Sequence, residues 1–390
     1  MRLLTFSTLY PNAVRPGHGI FVETRLRQLV SSGKVEVKVV APVPWFPFRH
    51  SVFGPYALFA QVPKCETRFG IHVEHPRYFL PPKISTNIAP ELLARGAKPC
   101  ITRLIEAGFD FDLIDAHYFY PDGVAAIQLG KYFNKPVVIT ARGSDITLLP
   151  KLTVPRKKII AAAKKADGII TVCNALRDEL IKLGTRPEKI VSLRNGVDLD
   201  LFTPNTCRSR LPAPDEDSPV RLLTVGHLVP VKGHEIILRS LAMLPNTHLV
   251  IAGDGILRKS LESLALKLKV RDRVTFLGNI KQTELQQHYS AADIFILASE
   301  REGWANVLLE SMACGTPVVA SNVWGTPEVV ASPAAGLLMQ ERTPEALVMA
   351  IKTLLRNYPD RNETRRYAEQ FSWRATSEGQ LRLFEHILRV

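Results

Sequence analysis

Two glutamates eight positions apart, Glu302 and Glu310, carry the clearest chemical signal in the sequence, within SEREGWANVLLESMACGTPVVASNVWGTPE at 299–328. Positions 306–314 read as a helix, and Gly303 lets the chain turn just before it. The first turn of such a helix leaves backbone N–H groups unpaired, and with the helix dipole they form a seat for an anion. Glu310 lies too far in to cap the helix. A carboxylate there can accept two hydrogen bonds, as from the paired hydroxyls of a ribose, while Glu302 in the loop can accept hydroxyls from a sugar. The same spacing fits a surface loop with ordinary acids ahead of a core helix, and residue types alone leave both readings open.

Three further clusters sit where apolar runs end. In GHLVPVKG (226–233), Lys232 is placed to neutralise a diphosphate as a point charge and Gly233 permits close approach, although a lone loop lysine is usually only a solvated charge. PGHGIF (16–21) sets Gly17 and Gly19 ahead of a helix as a phosphate-cradle pattern. It is not G-x-G-x-x-G, and no acid follows at the distance that would fix an adenosine ribose, which disfavours a nicotinamide dinucleotide. His117 ends the run DLIDAH, where it could orient a reacting sugar or exchange a proton; a buried histidine satisfied by its neighbours would look the same. The pairs Asp110/Asp112, Asp198/Asp200 and Asp215/Asp217 imitate a metal-binding D-x-D, but they flank a strand start, a loop and a linker, so no metal is expected.

The elements that must position these residues alternate. Apolar runs at 1–7, 35–43, 111–118, 135–143, 165–175 and 188–198 read as strands separated by amphipathic helices, the pattern of a parallel sheet covered on both faces. The stretch 203–219, polar with prolines at 204, 212, 214 and 219, breaks the rhythm, and strand–helix alternation resumes with VRLLTVGHL at 220. The expected organisation is a Rossmann-like domain over 1–203, a linker over 204–219, a second Rossmann-like domain over 220–370 and a final helix over 371–390. Two doubly wound domains place ligands in a crevice at the C-terminal ends of their strands. The segment from about 44 to 100, rich in proline and aromatics, reads as an irregular excursion rather than core.

Composition bounds the rest. The 390 residues suit two domains, and 46% hydrophobic with 22% charged residues is ordinary for a folded chain. Five cysteines without a CxxC pair argue against a disulfide framework or structural zinc and favour a reducing cytoplasm. The N-terminal apolar stretch is too short for a signal peptide, and no run approaches a bilayer span. The net charge of +13 is lopsided: residues 1–200 hold 28 Lys/Arg against 17 Asp/Glu. A basic half can meet nucleic acid, an anionic membrane or an anionic substrate, or only solubilise the surface. Its basic residues are not interleaved with aromatics on a recognisable nucleic-acid module, and no nucleic-acid partner is expected. PRKKIIAAAKK (155–165) offers basic ends around a short apolar patch, which motivates docking at the inner face of a membrane through electrostatics.

Across nearly its whole length the sequence resembles retaining glycosyltransferases of family 4, of the GT-B class. The family's E-x7-E appears as Glu302 and Glu310, its GRLxxxKG as GHLVPVKG, the GDG of its AGDG as Gly253, Asp254 and Gly255, and its NGVD-x-x-x-F at 195–202; the FSW at 371–373 opens what resembles the family's last helix, crossing back to the first domain. The resemblance implies two Rossmann-like domains facing a cleft, and a nucleotide-sugar, UDP- or GDP-linked, as donor. By position it implies Gly17 or Gly19 close to the donor diphosphate, Lys232 binding it, and backbone N–H groups of Gly303, Trp304, Ala305, Asn306 and Val307 on phosphates or sugar. Glu302 would hold sugar hydroxyls and Glu310 the ribose. His117 would sit near the transferred sugar, with Arg142, Asp145 and Asn174 on the acceptor side, Arg142 replacing the usual histidine. His227 stands where the family has arginine and offers one neutral donor instead of a bidentate clamp. The implied reaction is retaining transfer to an acceptor hydroxyl, on a glycan or lipid-linked molecule, in envelope or exopolysaccharide synthesis, without metal or redox cofactor. A nucleotide-sugar epimerase of similar fold, or a non-enzymatic nucleotide- or polyanion-binding protein, are the alternatives.

Overall fold

A computed structural model of the chain describes residues 1–80, 85–204 and 219–389. They form two compact units, one of residues 1–194 with 374–390 and one of residues 195–373. Most of the linker expected over 204–219, with Asp215 and Asp217, lies outside the described residues.

The first unit is built on the strands β1 (Arg2–Phe6), β2 (Glu36–Val40), β3 (Val43–Pro44), β4 (Cys65–Arg68), β5 (Ile71–Glu74), β6 (Arg77–Tyr78), β7 (Leu113–His117), β8 (Val137–Ala141), β9 (Gly168–Thr171) and β10 (Ile190–Ser192). Eight of them form one sheet in the order β10-β9-β8-β7-β1-β2-β5-β4, while β3 and β6 pair separately. Only β4, on the edge, runs antiparallel to its neighbour. Strands such as LIDAH and VVITA are buried along their whole length, as expected where helices cover both faces. Helix Ile20–Val30 turns Val22, Leu26 and Leu29 onto Leu3, Val39 and Val73. The last helix, Trp373–Arg389, adds Leu381 and Phe384 to the same core.

The segment from about 44 to 100 corrects the expectation of an irregular excursion. The hairpin of β4 and β5 extends the main sheet, and Ser85–Glu106 is a long helix whose Leu93, Ala97 and Ile101 are buried. The helix was masked in the sequence by Pro90 and Pro99 inside it, and the strand CETR by its lack of apolar side chains.

The second unit adds β11 (Val220–Val225), β12 (Thr247–Ala252), β13 (Val274–Gly278), β14 (Ile294–Leu297), β15 (Val318–Ser321) and β16 (Gly336–Met339). They form one parallel sheet in the order β13-β12-β11-β14-β15-β16. Leu222, Leu249, Ile251, Ile294 and Ile296 from its strands share a core with Ile237, Leu241, Leu347 and Ile351 from helices. In both units the winding reverses beside the first strand: β1 lies between β2 and β7, and β11 between β12 and β14. The C-terminal ends of β1 and β11 are therefore the switch points at which such sheets bind ligands. No helix among the described residues is long and apolar enough to cross a membrane.

Candidate functional site

In the second unit the chain leaves β11 through a loop that ends in a 3-10 turn at Pro230–Lys232 and enters helix His234–Leu241. Gly233 joins them at φ 68°, and a Cβ there would lie 2.1 Å from the Ala298 carbonyl oxygen. Only glycine fits that approach. The crossing brings the loop onto the segment after β14, where the Glu300 N–H donates to the Val231 carbonyl at 2.8 Å. As a result Lys232 Nζ donates to Glu302 Oε1 at 2.6 Å, with both side chains partly buried. The two residues singled out separately for phosphate and for sugar hydroxyls thus share one site.

Helix Asn306–Ala313 starts without a side-chain cap, so no side chain of its own N-cap residue satisfies the first N–H groups. Trp304 is buried and donates its indole N–H to the Asn195 carbonyl at 3.1 Å, and Asn306 Oδ1 accepts from Asn195 Nδ2 at 3.2 Å. These contacts fix the turn ahead of the helix. Glu310, one turn in, accepts a hydrogen bond from the Tyr289 hydroxyl at 2.9 Å and another from the Gln282 amide at 3.5 Å. Burial raises its carboxyl from an ordinary 4.5 to about 7, against the lowering effect of those two donors. Each oxygen keeps acceptor capacity for a ligand hydroxyl.

His227 is exposed, while its carbonyl oxygen accepts from His234 Nε2 at 3.3 Å. Burial lowers His234 to about 4, so it stays neutral and serves the turn after β11. The Ser299 hydroxyl, at the end of the β14 segment, is buried without a hydrogen-bond partner, a polar atom that the sequence did not single out.

In the first unit, the loop after β1 returns to helix Ile20–Val30 through Gly19, at φ 69° with its Cβ position 2.3 Å from the Leu9 carbonyl oxygen. Gly17 differs, because a Cβ there meets nothing within 4 Å. The Thr8 hydroxyl donates to Asp122 at 3.0 Å, and the Thr8 N–H donates to the same carboxylate, tying this loop to the turn after β7.

His117 at the end of β7 is almost wholly buried. Arg142 Nη2 lies 2.7 Å from its Nδ1, and Asp115 Oδ2 lies 3.1 Å from its Nε2. Arginine only donates, so Nδ1 accepts and Nε2 carries the proton that goes to Asp115. Burial, chiefly, lowers the His117 pKa. Both ring nitrogens are thus engaged inside the unit. Asp115 Oδ2 also accepts from Gln380 Nε2 at 3.1 Å, and Gln380 Oε1 accepts from Arg25 Nε at 3.1 Å. The final helix is thereby wired to the end of β7.

The Asp145 carboxylate is buried and accepts the backbone N–H groups of Phe119 (2.7 Å), Gly143 (2.7 Å) and Arg142 (3.1 Å), so it holds these loops in place. Asn174 is exposed at the start of helix Asn174–Lys182. Of the D-x-D pairs, Asp112 accepts the Arg2 N–H at 2.7 Å, Asp110 pairs with Lys135 at 2.7 Å, and Asp198 accepts from Leu201 at 2.9 Å, all structural tasks. No group of three or more metal-ligating side chains occurs among the described residues.

The basic segment at 155–165 lies on helix Thr153–Lys165, with Ile159, Ala162 and Ala163 buried and Lys158 paired with Glu91 at 2.7 Å. The apolar patch expected to face a membrane is largely spent on the core, because a helix covering a sheet needs the same stripe. Arg156, Lys157, Lys164 and Lys165 remain exposed.

Two family models match the chain: "Glycosyltransferase Family 4" over residues 17–201 and "Glycosyl transferases group 1" over residues 211–371. An uncharacterized glycosyltransferase of Methanocaldococcus jannaschii is 32% identical over 282 residues, covering 67% of this chain and 72% of that protein. The putative teichuronic acid biosynthesis glycosyltransferase TuaC of Bacillus subtilis is 27% identical over 369 residues, 90% of this chain and 88% of the relative. Among solved structures, Anabaena HepE in complex with UDP-glucose superposes with a TM-score of 0.71 at 19% identity, covering 100% of this chain and 99% of that one.

Proposed function

Given that the chain belongs to glycosyltransferase family 4 and is a glycosyltransferase of the GT-B fold, we propose that it transfers a sugar from a nucleoside diphosphate-sugar to an acceptor hydroxyl with retention of anomeric configuration. The observation that carries this reading is the Lys232–Glu302 pair at 2.6 Å, set between the switch-point loop of β11 and the uncapped helix that bears Glu310. It joins, in one unit, a cation for phosphates, N–H groups for phosphates or sugar, and two carboxylates for hydroxyls. The UDP-glucose named for the Anabaena protein supports a uridine donor.

In this mechanism the diphosphate competes with Glu302 for Lys232, and the released carboxylate accepts hydroxyls of the donor sugar. Glu310 accepts the ribose hydroxyls. As the bond between the anomeric carbon and the β-phosphate oxygen breaks, the acceptor oxygen forms its bond to that carbon on the same face. The acceptor proton passes to the departing phosphate, and Lys232 with the helix N-terminus stabilises the growing negative charge. Neutralisation by the chain's own groups leaves no step that requires a metal. Asp115, Gln380 and Arg142 act only by holding His117 and the end of β7.

The acceptor is proposed to be a glycan or lipid-linked molecule of the cell envelope, a reading supported by the teichuronic acid role named for the Bacillus subtilis relative. The exposed lysines of helix Thr153–Lys165 would favour an anionic cytoplasmic membrane face. The direct test incubates the protein with a panel of UDP-, GDP- and ADP-sugars and reads released nucleotide. One donor class turning over, with loss in the Lys232→Met variant, supports the proposal; release from none of them contradicts it.

A further inference from the structure

The first unit carries a feature that the transfer chemistry above does not use. After β2 the chain pairs Val43–Pro44 with Arg77–Tyr78 and inserts the short helix Pro55–Gln61 between them. A cavity of about 590 Å³ opens there, with Trp45, Phe46, Tyr56, Phe59, Phe79 and Leu80 in its wall. That volume lies within the range of small-molecule sites. Its aromatics are costly to leave in water: Trp45 is 52% exposed, Tyr56 55% and Phe79 60%.

A second, more polar cavity of about 190 Å³ shares Pro44 and Phe59 with the first. It lies at the C-terminal end of β1, the unit's switch point, and Thr8, Asn12, Arg15 and His18 line it. The Arg15 guanidinium sits 6.0 Å from the Phe59 ring centroid, where the two cavities meet. Arg15 Nη2 donates to His18 Nδ1 at 3.1 Å, and His18 Nε2 donates to the Thr8 carbonyl at 3.1 Å, which fixes the direction of the cation. No carboxylate pairs with Arg15 among the described residues. Tyr10, buried with a hydroxyl that lacks a hydrogen-bond partner, lines the same cavity.

A greasy groove that runs into a small polar pocket holding an oriented cation matches one kind of molecule, an amphiphile with an apolar chain and an anionic head. We propose that the acceptor is carried on an isoprenyl or acyl phosphate, with its chain in the Trp45–Phe79 groove and its phosphate on Arg15. This rests on the reading of the protein as a transferase and names the acceptor class. The larger cavity adjoins the smaller charged one through Pro44 and Phe59, so the pair fits a single chain with its head better than the plane of a bilayer.

The test uses the full chain with farnesyl phosphate below its micellar concentration, alongside farnesol and inorganic phosphate, read by tryptophan fluorescence. Farnesyl phosphate should shift the emission to the blue, and Trp45→Phe should remove most of that signal. It should bind on the order of 100-fold more tightly than inorganic phosphate, because of the buried chain, and at least tenfold more tightly than farnesol. Phe79→Ser, at an exposed ring and so safe for folding, should weaken farnesyl phosphate about tenfold while leaving UDP binding unchanged. Arg15→Gln should abolish the preference over farnesol. Absence of farnesyl phosphate binding, or equal binding by wild type and Phe79→Ser, overturns the proposal. Binding to phosphatidylglycerol vesicles alone, lost in Phe79→Ser, also overturns it and makes the patch a bilayer contact. UDP binding that persists while farnesyl phosphate fails would confine the failure to the groove, whereas loss of nucleotide-sugar turnover in an otherwise farnesyl-phosphate-binding protein would strike at the transferase reading.

Discussion

Replacing Glu310 by glutamine should make the protein more stable and a poorer nucleotide binder at the same pH. Burial holds this carboxyl near 7 instead of 4.5. At face value that difference disfavours the ionised form by roughly 3 kcal/mol, and partial solvent access screens it to about 1–2 kcal/mol. The sign follows from the folded value lying above the unfolded one. Wild-type stability falls as pH rises from about 4.5 to 7 and is level above that. Glu310→Gln removes the charge and keeps an oxygen for the Tyr289 hydroxyl, while the Gln282 amide can rotate to offer its own oxygen. The variant should therefore match wild type at pH 4 and exceed it by about 1–2 kcal/mol at pH 8. Ribose hydroxyls, however, lose a charged acceptor, worth about 1.5–3 kcal/mol, or roughly 10–150-fold in Kd. Urea unfolding at pH 4 and 8, with calorimetric titration of UDP, GDP and ADP at pH 6 and 8, reads both effects. Wild-type affinity for the preferred nucleotide should rise between those pH values and that of the variant should not. A variant that binds like wild type at pH 8, or that is destabilised there, would refute the placement of Glu310.

Removing the phosphate cation, in Lys232→Met, should lower kcat by about 10²–10³, the scale of losing one preorganised charge at a leaving group, while excess EDTA should leave wild-type turnover unchanged; nucleotide-release kinetics check both. Gly19→Ala should destabilise the first unit in thermal unfolding, because its φ of 69° and the Leu9 carbonyl exclude a Cβ, whereas Gly17→Ala should leave the melting temperature unchanged, so that any loss of turnover in it reports on bound donor. Replacing Lys157, Lys158, Lys164 and Lys165 with glutamine should reduce co-sedimentation with anionic vesicles at low salt, and high salt should do the same to wild type; equal recovery on neutral vesicles would speak against electrostatic docking.

The strand–helix rhythm was legible because parallel strands buried on both faces are written as continuous apolar runs, as in VVITA and IFIL. The Lys232 and Glu302 motifs were legible for a related reason, since glycines and charges at strand ends stand out against apolar neighbours. What stayed hidden was partnership over long separations. Asp115 lies two residues before His117 on the same strand, a spacing that places both on one face and was readable. Gln380, which reaches Asp115 from 265 positions away, left no local trace. Tyr289 and Gln282 beside Glu310 were equally invisible, so the sequence could offer Glu310 as an acceptor but not its raised pKa. The helix Ser85–Glu106 was misread because its internal prolines imitate a break that tertiary packing overrides. The apolar stripe of Thr153–Lys165 was ambiguous in principle, since a core face and a membrane face share one pattern.

The most direct test of the central claim follows the reaction by proton NMR with the donor selected from the nucleotide-sugar panel, letting water stand in for the acceptor. Retaining transfer predicts that nucleotide diphosphate appears together with the free sugar in the donor's own anomeric configuration, before mutarotation mixes the two forms. First appearance of the opposite anomer, or of an epimerised nucleotide-sugar with no released nucleotide, would contradict it.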